Sequence, residues 1–401
     1  MANVNVVRKK SARIQPALKF RFDYWLLLIV TGLLVLGLLM VYSTTFDLGL
    51  RQEVGDAAYF FKRQVIALIL GSFGIFIITQ FDYHAFRNTS IFFMVFTLII
   101  LSYVLFFGEP SLGARRGLYE GSFQPSEIAK LATILYISHW LSSKGDRIKD
   151  LTYGLFPFSV ITGVVCALIA MEPDLSTAIL IALISLTLFF IAGADWRQFV
   201  VAGLFGTAAF AVLINIFPHA SQRLQEFWKG VMDPSLAGWQ TQQSLVGLSR
   251  GGIFGVGLGE STQKFGPLPF AHNDAVFAIL AEELGLFGSL LLIGMLAALV
   301  WRGFRTARLA RDSYGAMLAL GVTSWIAYQA LINIAVIANV IPFTGIPLPF
   351  ISYGGSSLFS TLLGVGVLLS VSRDASLKTR SQRPAARSTR RNPRSAAYKS
   401  G

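Results

Sequence analysis

The run Tyr24-Trp-Leu-Leu-Leu-Ile-Val-Thr-Gly-Leu-Leu-Val-Leu-Gly-Leu-Leu-Met-Val-Tyr42 decides the fold. It carries no charge and approaches the roughly 20 apolar residues that a helix needs to cross a bilayer. A basic stretch precedes it, as in a signal peptide. Its length, and the lack of a small-residue cleavage site after it, mark a retained span. Outward from it the pattern recurs: apolar runs over residues 24–42, 64–80, 90–107, 126–142, 154–171, 174–193, 197–217, 275–300, 314–340 and 355–372 predict about ten spans. Hydrophobic residues make up 54% of the chain and charged ones 14%, with a mean hydropathy of +0.61. A soluble chain carries about 25% charged residues. A membrane β-barrel would show short alternating segments instead of continuous runs. The expected fold is therefore an all-α polytopic membrane protein of about ten transmembrane helices, with one large extracytoplasmic loop between spans 7 and 8. The single cysteine, Cys166, lies in an apolar run, which excludes disulfides and multi-thiolate metal sites within the chain.

An even number of spans puts both termini on one side, and Lys and Arg favour the cytoplasmic face. With the N-terminus inside, that face takes more than two thirds of the 34 basic residues but a third of the 21 acids. The chain then divides into a basic cytoplasmic N-terminus (1–23), a transmembrane region (24–372) with the outer loop at 218–274, and a disordered basic tail (373–401). Topology and tail explain the net charge of +13, and no nucleic acid is needed. Such a tail suits anionic lipid, or a cytoplasmic partner. No internal repeat, Walker loop or dinucleotide fingerprint appears. Gly255-Val-Gly-Leu-Gly259 follows neither a strand nor a helix-opening pattern and reads as a flexible loop.

The outer loop carries the chemistry. It runs for roughly 50 residues without an obvious element of its own, a length that is usually functional or disordered. Its aromatic and Gly content argues against disorder. Trp239-Gln-Thr-Gln-Gln-Ser244 supplies polar side chains, Gln243 among them, and the loop ends at Pro267-Leu-Pro-Phe-Ala-His-Asn-Asp274. Asp274 is placed as the N-cap of the eighth span, where the positive helix end keeps it ionised. That carboxylate either caps and nothing more, or takes a proton from a sugar hydroxyl, or holds a divalent cation. Glu282 lies about 80° around the helix from it and is the acid able to share its cavity; Glu283 faces a neighbouring helix. Glu127 and Lys130 stand three residues apart on one face, as an intramembrane ion pair or a charged cavity wall. Arg115 and Arg116 are outer-side arginines whose forks suit phosphate oxygens. Asp174 either caps the sixth span or points into the cavity. Ile341 to Ser357 holds prolines and glycines that forbid a continuous helix, so it is expected as an irregular plug buried under the loop.

Together these motifs resemble the RodA/FtsW (SEDS) family: Gln124-Pro-Ser-Glu-Ile-Ala-Lys130, Gly255-Val-Gly-Leu-Gly259 with Gln263, Pro269-x-x-His-x-Asp274, Glu282-Glu-Leu-Gly285 and Pro347-Leu-Pro-Phe-Ile-Ser-Tyr-Gly-Gly-Ser-Ser357. The likeness runs from the first span to about Ser372. It departs at Phe270, Ala275 and Gly117, where the family usually has Glu, an aromatic and Trp. Ser356 and the basic tail lean toward the division member. The resemblance implies ten spans in the bacterial cytoplasmic (inner) membrane with both ends cytoplasmic. It implies a peptidoglycan glycosyltransferase that polymerises lipid II into polyprenyl-pyrophosphate-linked glycan beside a class B penicillin-binding protein and other divisome or elongasome proteins. It maps the catalytic role to Asp274, and the fourth-span motif to Glu127 and Lys130. Substrate contacts are expected from these two, Arg115, Arg116, Asp174, Gln243, Lys264, His272, Glu282, Ser352 and Ser356. Arg115, Arg116, Lys264 or a metal would offset charge on the leaving pyrophosphate. A divalent cation, Mg2+ or Mn2+, is allowed for at Asp274, and no organic cofactor. The rival readings are a lipid II flippase and a non-catalytic scaffold for the transpeptidase.

Overall fold

The computed structural model describes residues 23–51, 56–111, 114–117, 123–266, 268 and 271–381; of residues 51, 109–111, 114–117 and 375–381 it describes the backbone alone. Ten helices match the expected spans: α1 (Tyr24–Arg51), α2 (Tyr59–Gln80), α3 (His84–Phe107), α4 (Pro125–Lys144), α5 (Phe156–Met171), α6 (Leu175–Ile191), α7 (Trp196–Ile216), α10 (Val276–Leu309), α11 (Ser313–Ile337) and α12 (Gly355–Ser381). Between α7 and α10 lie α8 (Pro218–Met232) and α9 (Trp239–Gly251). Eight of the ten are long and apolar enough to cross a membrane by themselves. The other two are α4 and the short α6. Protein surrounds α4 along most of its length, so polar side chains on it face protein instead of lipid.

The fold is all-α, as expected, with one short antiparallel pairing of Glu109–Ser111 (β1) and Ala114–Gly117 (β2) in a loop. Two expectations change. The tail is not irregular from residue 373, because α12 continues to Ser381; residues 1–22 and 382–401 lie outside the described residues. The large loop has elements of its own. Pro218 opens α8, where Gln222 bonds Glu226 four residues on. In α9 the buried face is Thr241, Ser244, Gly247 and Gly251. It presses so close to α10 that a Cβ on Gly251 would meet the Ala281 carbonyl at 1.9 Å. A stripe of small residues has helical spacing but no hydropathy signal, which is why the helix does not show as an apolar period.

The bundle is tightest where glycines admit neighbours. A Cβ on Gly71 of α2 would lie 2.4 Å from Leu362 of α12, the small-residue packing expected where lipid competes with protein. Trp325 of α11 is wholly enclosed. At one end, Arg302 of α10 bonds Asp23 beside the start of α1, Tyr83 donates to Asp312 before α11, and Arg311 pairs with Asp374 of α12. The described chain therefore enters and leaves the bundle at the same end. The opposite end carries α8, α9 and the candidate site.

Candidate active site

Four helices begin at that opposite end, and their first turns are tied together. Ser126 of α4 donates to Asp174 (3.4 Å), and the backbone N–H of Gln124, before α4, donates to Ser356 of α12 (3.1 Å). Ser176 of α6 donates to the Thr344 carbonyl (2.6 Å). Next to Thr344, Gly345 (φ 75°) would bring a Cβ within 3.2 Å of Asp274 Oδ2, so the carboxylate rests against bare backbone. Asp274 itself leads into α10. It is not the N-cap expected from sequence: that position is Ala275, whose methyl group makes no cap hydrogen bond. The alternative for Asp174 is settled, since it caps α6 by accepting from the Thr177 N–H (3.2 Å).

The irregular segment after α11 is buried, as expected, with Ile346, Leu348, Phe350 and Ile351 in the core. Its backbone polar groups cannot reach water, so side chains from the helices satisfy them. Gln329 of α11 donates to the Pro347 carbonyl (2.9 Å), and Gln64 of α2 donates to the Ser352 carbonyl (3.2 Å) while accepting from the Gly354 N–H. Asn333 of α11 donates to the carbonyls of Ile346 (2.7 Å) and Asp274 (2.8 Å). That double donation fixes the amide's orientation and holds the Asp274 backbone. It leaves Asn333 Oδ1 buried without a hydrogen bond, alongside Asn273 Oδ1, Thr344 Oγ1 and His272 Nδ1. Four buried polar atoms without a hydrogen bond among the described residues therefore flank Asp274.

His272 lies between Phe60 (5.8 Å) and Tyr353 (5.7 Å), and its carbonyl accepts from the Tyr353 N–H (2.8 Å). Burial pushes its imidazole down to about 4, so it is neutral. The Ser352 hydroxyl accepts from the Leu348 N–H (2.8 Å). Gln243 is half-buried on α9. Arg115 and Arg116 belong to β2, and their side chains lie outside the described residues.

Three expectations around the second acidic pair are corrected. Glu282 does not share a cavity with Asp274. Its carboxylate accepts from Ser261, from Thr262 through both N–H (3.2 Å) and hydroxyl (3.1 Å), and from the Gln263 N–H (3.4 Å). Lys264 is not a free cation for a leaving group, because it is buried against Glu283 at 2.8 Å, with Ser43 of α1 bonded to both. Gly255–Gly259 is not flexible. Gly255, Gly257 and Gly259 take φ of 81°, 114° and 85°, and the Val256 and Gly257 N–H groups donate to the Glu282 and Glu283 carbonyls at 2.9 and 3.1 Å. Glu283 facing another helix is as expected.

Glu127 and Lys130 lie in the core at 2.8 Å from each other, the ammonium 3.3 Å from Gln329 Oε1 and 5.1 Å from the Trp325 ring. This supports the ion-pair alternative more than the cavity wall. Sequence reasoning missed Asn333 and Gln329. They stand four residues apart inside an apolar span, and that spacing of two amides was the available signal.

The chain is similar to known proteins over most of its length. The FtsW/RodA/SpoVE model, described as a cell cycle protein, matches residues 24–377. Stage V sporulation protein E of Bacillus subtilis (strain 168) is 40% identical over 355 residues, 88% of this chain and 97% of the relative. A probable peptidoglycan glycosyltransferase FtsW of Trichlorobacter lovleyi is 37% identical, covering 88% of this chain and 93% of its own. Among solved structures, a chain of a peptidoglycan synthase complex described as coordinating polymerization and crosslinking superposes with a TM-score of 0.72 at 29% identity, over 88% of this chain and 98% of that one. The rod shape determining protein RodA of Thermus thermophilus gives 0.66 at 26%, over 89% and 98%.

Proposed function

The chain belongs to the FtsW/RodA/SpoVE family, and on that premise we propose that its chemistry runs at Asp274. It is a peptidoglycan glycosyltransferase, as its relatives are named. The substrate is lipid II, and the glycan stays linked to a polyprenyl pyrophosphate. The transfer takes place at the outer face of the bacterial cytoplasmic membrane, with both termini cytoplasmic. The acceptor 4-hydroxyl attacks the anomeric carbon of the donor, and its proton passes to Asp274. The bond from that carbon to the pyrophosphate oxygen breaks with inversion, and the lipid pyrophosphate leaves with the electron pair. The observation that carries this reading is the Asp274 carboxylate, set against the Gly345 backbone at the start of α10 and flanked by buried polar atoms without a hydrogen bond among the described residues.

With Lys264 neutralised by Glu283, positive potential for the leaving group has another source. The N-termini of α4 and α10 point to this end, and the N-cap residue of neither makes a side-chain cap hydrogen bond. Arg115 and Arg116 add to it. The donor set near Asp274 is mostly oxygen, its carboxylate with Asn273 Oδ1, Asn333 Oδ1 and Thr344 Oγ1 beside the one nitrogen of His272 Nδ1, which fits Mg2+ or Mn2+ better than a soft metal. Bound there, such an ion would neutralise pyrophosphate charge; no organic cofactor is called for. Neutral His272, Gln243 and Ser356 are the remaining polar groups set to orient sugar. The transpeptidase partner is a class B penicillin-binding protein, a reading supported by the likeness to a complex that both polymerises and crosslinks.

The flippase alternative needs a polar path between the ends. Beyond Lys130 the core narrows to a void too small for water, lined by Thr133, Ile134, Ile137, Ile184, Ser185 and Leu188. The test is lipid II polymerisation by the purified chain, with and without transpeptidase and divalent cation. Asp274→Asn should lose about 10²–10⁴-fold, the size of a general-base contribution, with an unchanged melting temperature. A fully active, normally folded Asp274→Asn would end this assignment.

A further inference from the structure

Helix α8 is amphipathic and barely supported by the protein. Gly230 is its one buried residue. It rests on the bundle end through Arg223, whose guanidinium lies 5.7 Å from the Phe343 ring, and through the Gly230 carbonyl, which accepts from Asn339. At 100° per residue, Leu224, Trp228 and Val231 fall on one flank, while Gln222, Gln225, Glu226 and Lys229 fall on the opposite one. The apolar flank is open: Trp228 and Val231 are 57% and 48% exposed, and Met232, at the flank's edge, 82%. It runs on into Leu236 and Trp239 at 58% and 60%. An isolated helix of about 15 residues is marginal in water, and this one has almost no packing within the chain to stabilise it. Something apolar must cover the stripe.

We propose that the cover is the bilayer surface, and that α8 with Leu236 and Trp239 lies in the membrane interface as an anchor for the large loop. Continuity with α7 selects lipid over a protein partner. None of α7's apolar window is buried within the protein, so lipid surrounds this span. Phe217, in an extended conformation, is the one residue between α7 and Pro218. The first turn of α8 therefore starts at the level where α7 leaves the hydrocarbon. Two indoles on the stripe, with Arg223 on the bundle side and Lys229 on the polar flank, form the composition of an interfacial helix. The anchor is separate from the chemistry at Asp274 and does not depend on the role given to that residue.

The test uses the full chain, carrying Cys166→Ser, in lipid nanodiscs. Single cysteines replace Trp228, Val231, Leu236 or Trp239 on the apolar side, and Gln222 or Lys229 on the polar flank, each bearing a nitroxide. Relaxation by oxygen, which concentrates in lipid, is compared with relaxation by a water-soluble nickel chelate. The four apolar-flank sites should favour oxygen severalfold, and the two polar-flank sites the chelate. Equal chelate access on both flanks would overturn the proposal. So would an apolar flank shielded from both reagents after a transpeptidase is added, which would make it a protein interface. If cysteine at Trp228 misfolds, as a melting scan would show, Val231 and Leu236 report the same stripe.

Discussion

At the scale of single residues, the surroundings of Asp274 are unusual in how many buried polar atoms they leave without a hydrogen bond among the described residues. The same neighbourhood holds a titratable group whose state depends on pH. His272 is enclosed by Phe60, Tyr353 and the loop, and burial pushes its imidazole from 6.5 down to about 4. The unfolded chain thus binds a proton there more readily than the folded one, so stability is whole above pH 6.5 and falls as pH drops toward 4. By linkage the loss reaches about 2 kcal/mol at pH 5. Melting curves of the chain and of His272→Phe, whose ring suits the same aromatic slot, should diverge between pH 7 and 5, with the variant falling less. Parallel curves would show that His272 is reached by water. Asp274 was legible in the sequence from its place before an apolar run. That the cap falls on Ala275 was not, because the backbone angles of that turn come from the packing of Asn333 beneath it.

At the scale of elements, the decisive feature is a break inside α10. Gly285 takes φ 65°, interrupting the helix and releasing the carbonyls of Glu282 and Glu283 and the N–H groups of Leu286 and Phe287. The Gly-rich loop fits this gap. Val256 and Gly257 donate to those carbonyls, and the carbonyls of Gly252 and Ile253 accept from Leu286 and Phe287. All four of these groups are therefore paired, as buried backbone requires. Two glycines make the approach feasible, since a Cβ on Gly285 would lie 2.3 Å from the Gly255 nitrogen, and one on Gly255 2.1 Å from the Glu283 carbonyl. Gly285→Ala should cost several kcal/mol and expose the loop to protease. Gly259→Ala, with a positive φ but open space around it, should cost only about 1–2 kcal/mol. A tolerated Gly285→Ala would show that the helix can close and the loop is not clamped there. Sequence reading saw these glycines as freedom, when their use is close approach, and a hydropathy scan carries no record of what sits opposite a glycine.

At the scale of the whole molecule, the spans were readable because lipid demands length and apolarity of every helix that faces it. The order of burial among them was not, since α7, bathed in lipid, is no less apolar than the well-buried α11 and α12. What reveals the centre is polarity inside a span. Glu127 and Lys130 of α4, Gln329 and Trp325 of α11 and Ser360 of α12 meet in one buried network, which ties three helices and, through Gln329, the Pro347 carbonyl below Asp274. Removing one partner of a buried pair leaves a charge stranded and costs about 3–5 kcal/mol, whereas replacing both with apolar groups of similar size is often neutral. Glu127→Gln should accordingly lower the melting temperature sharply, and the Glu127→Leu, Lys130→Met double variant should recover it. Polymerisation then separates the two roles. If the pair is internal support, activity returns with stability in the double variant. If it touches substrate, the double variant melts normally and stays inactive, and the cavity must reach deeper than the enclosed side chains of Glu127 and Lys130 now indicate.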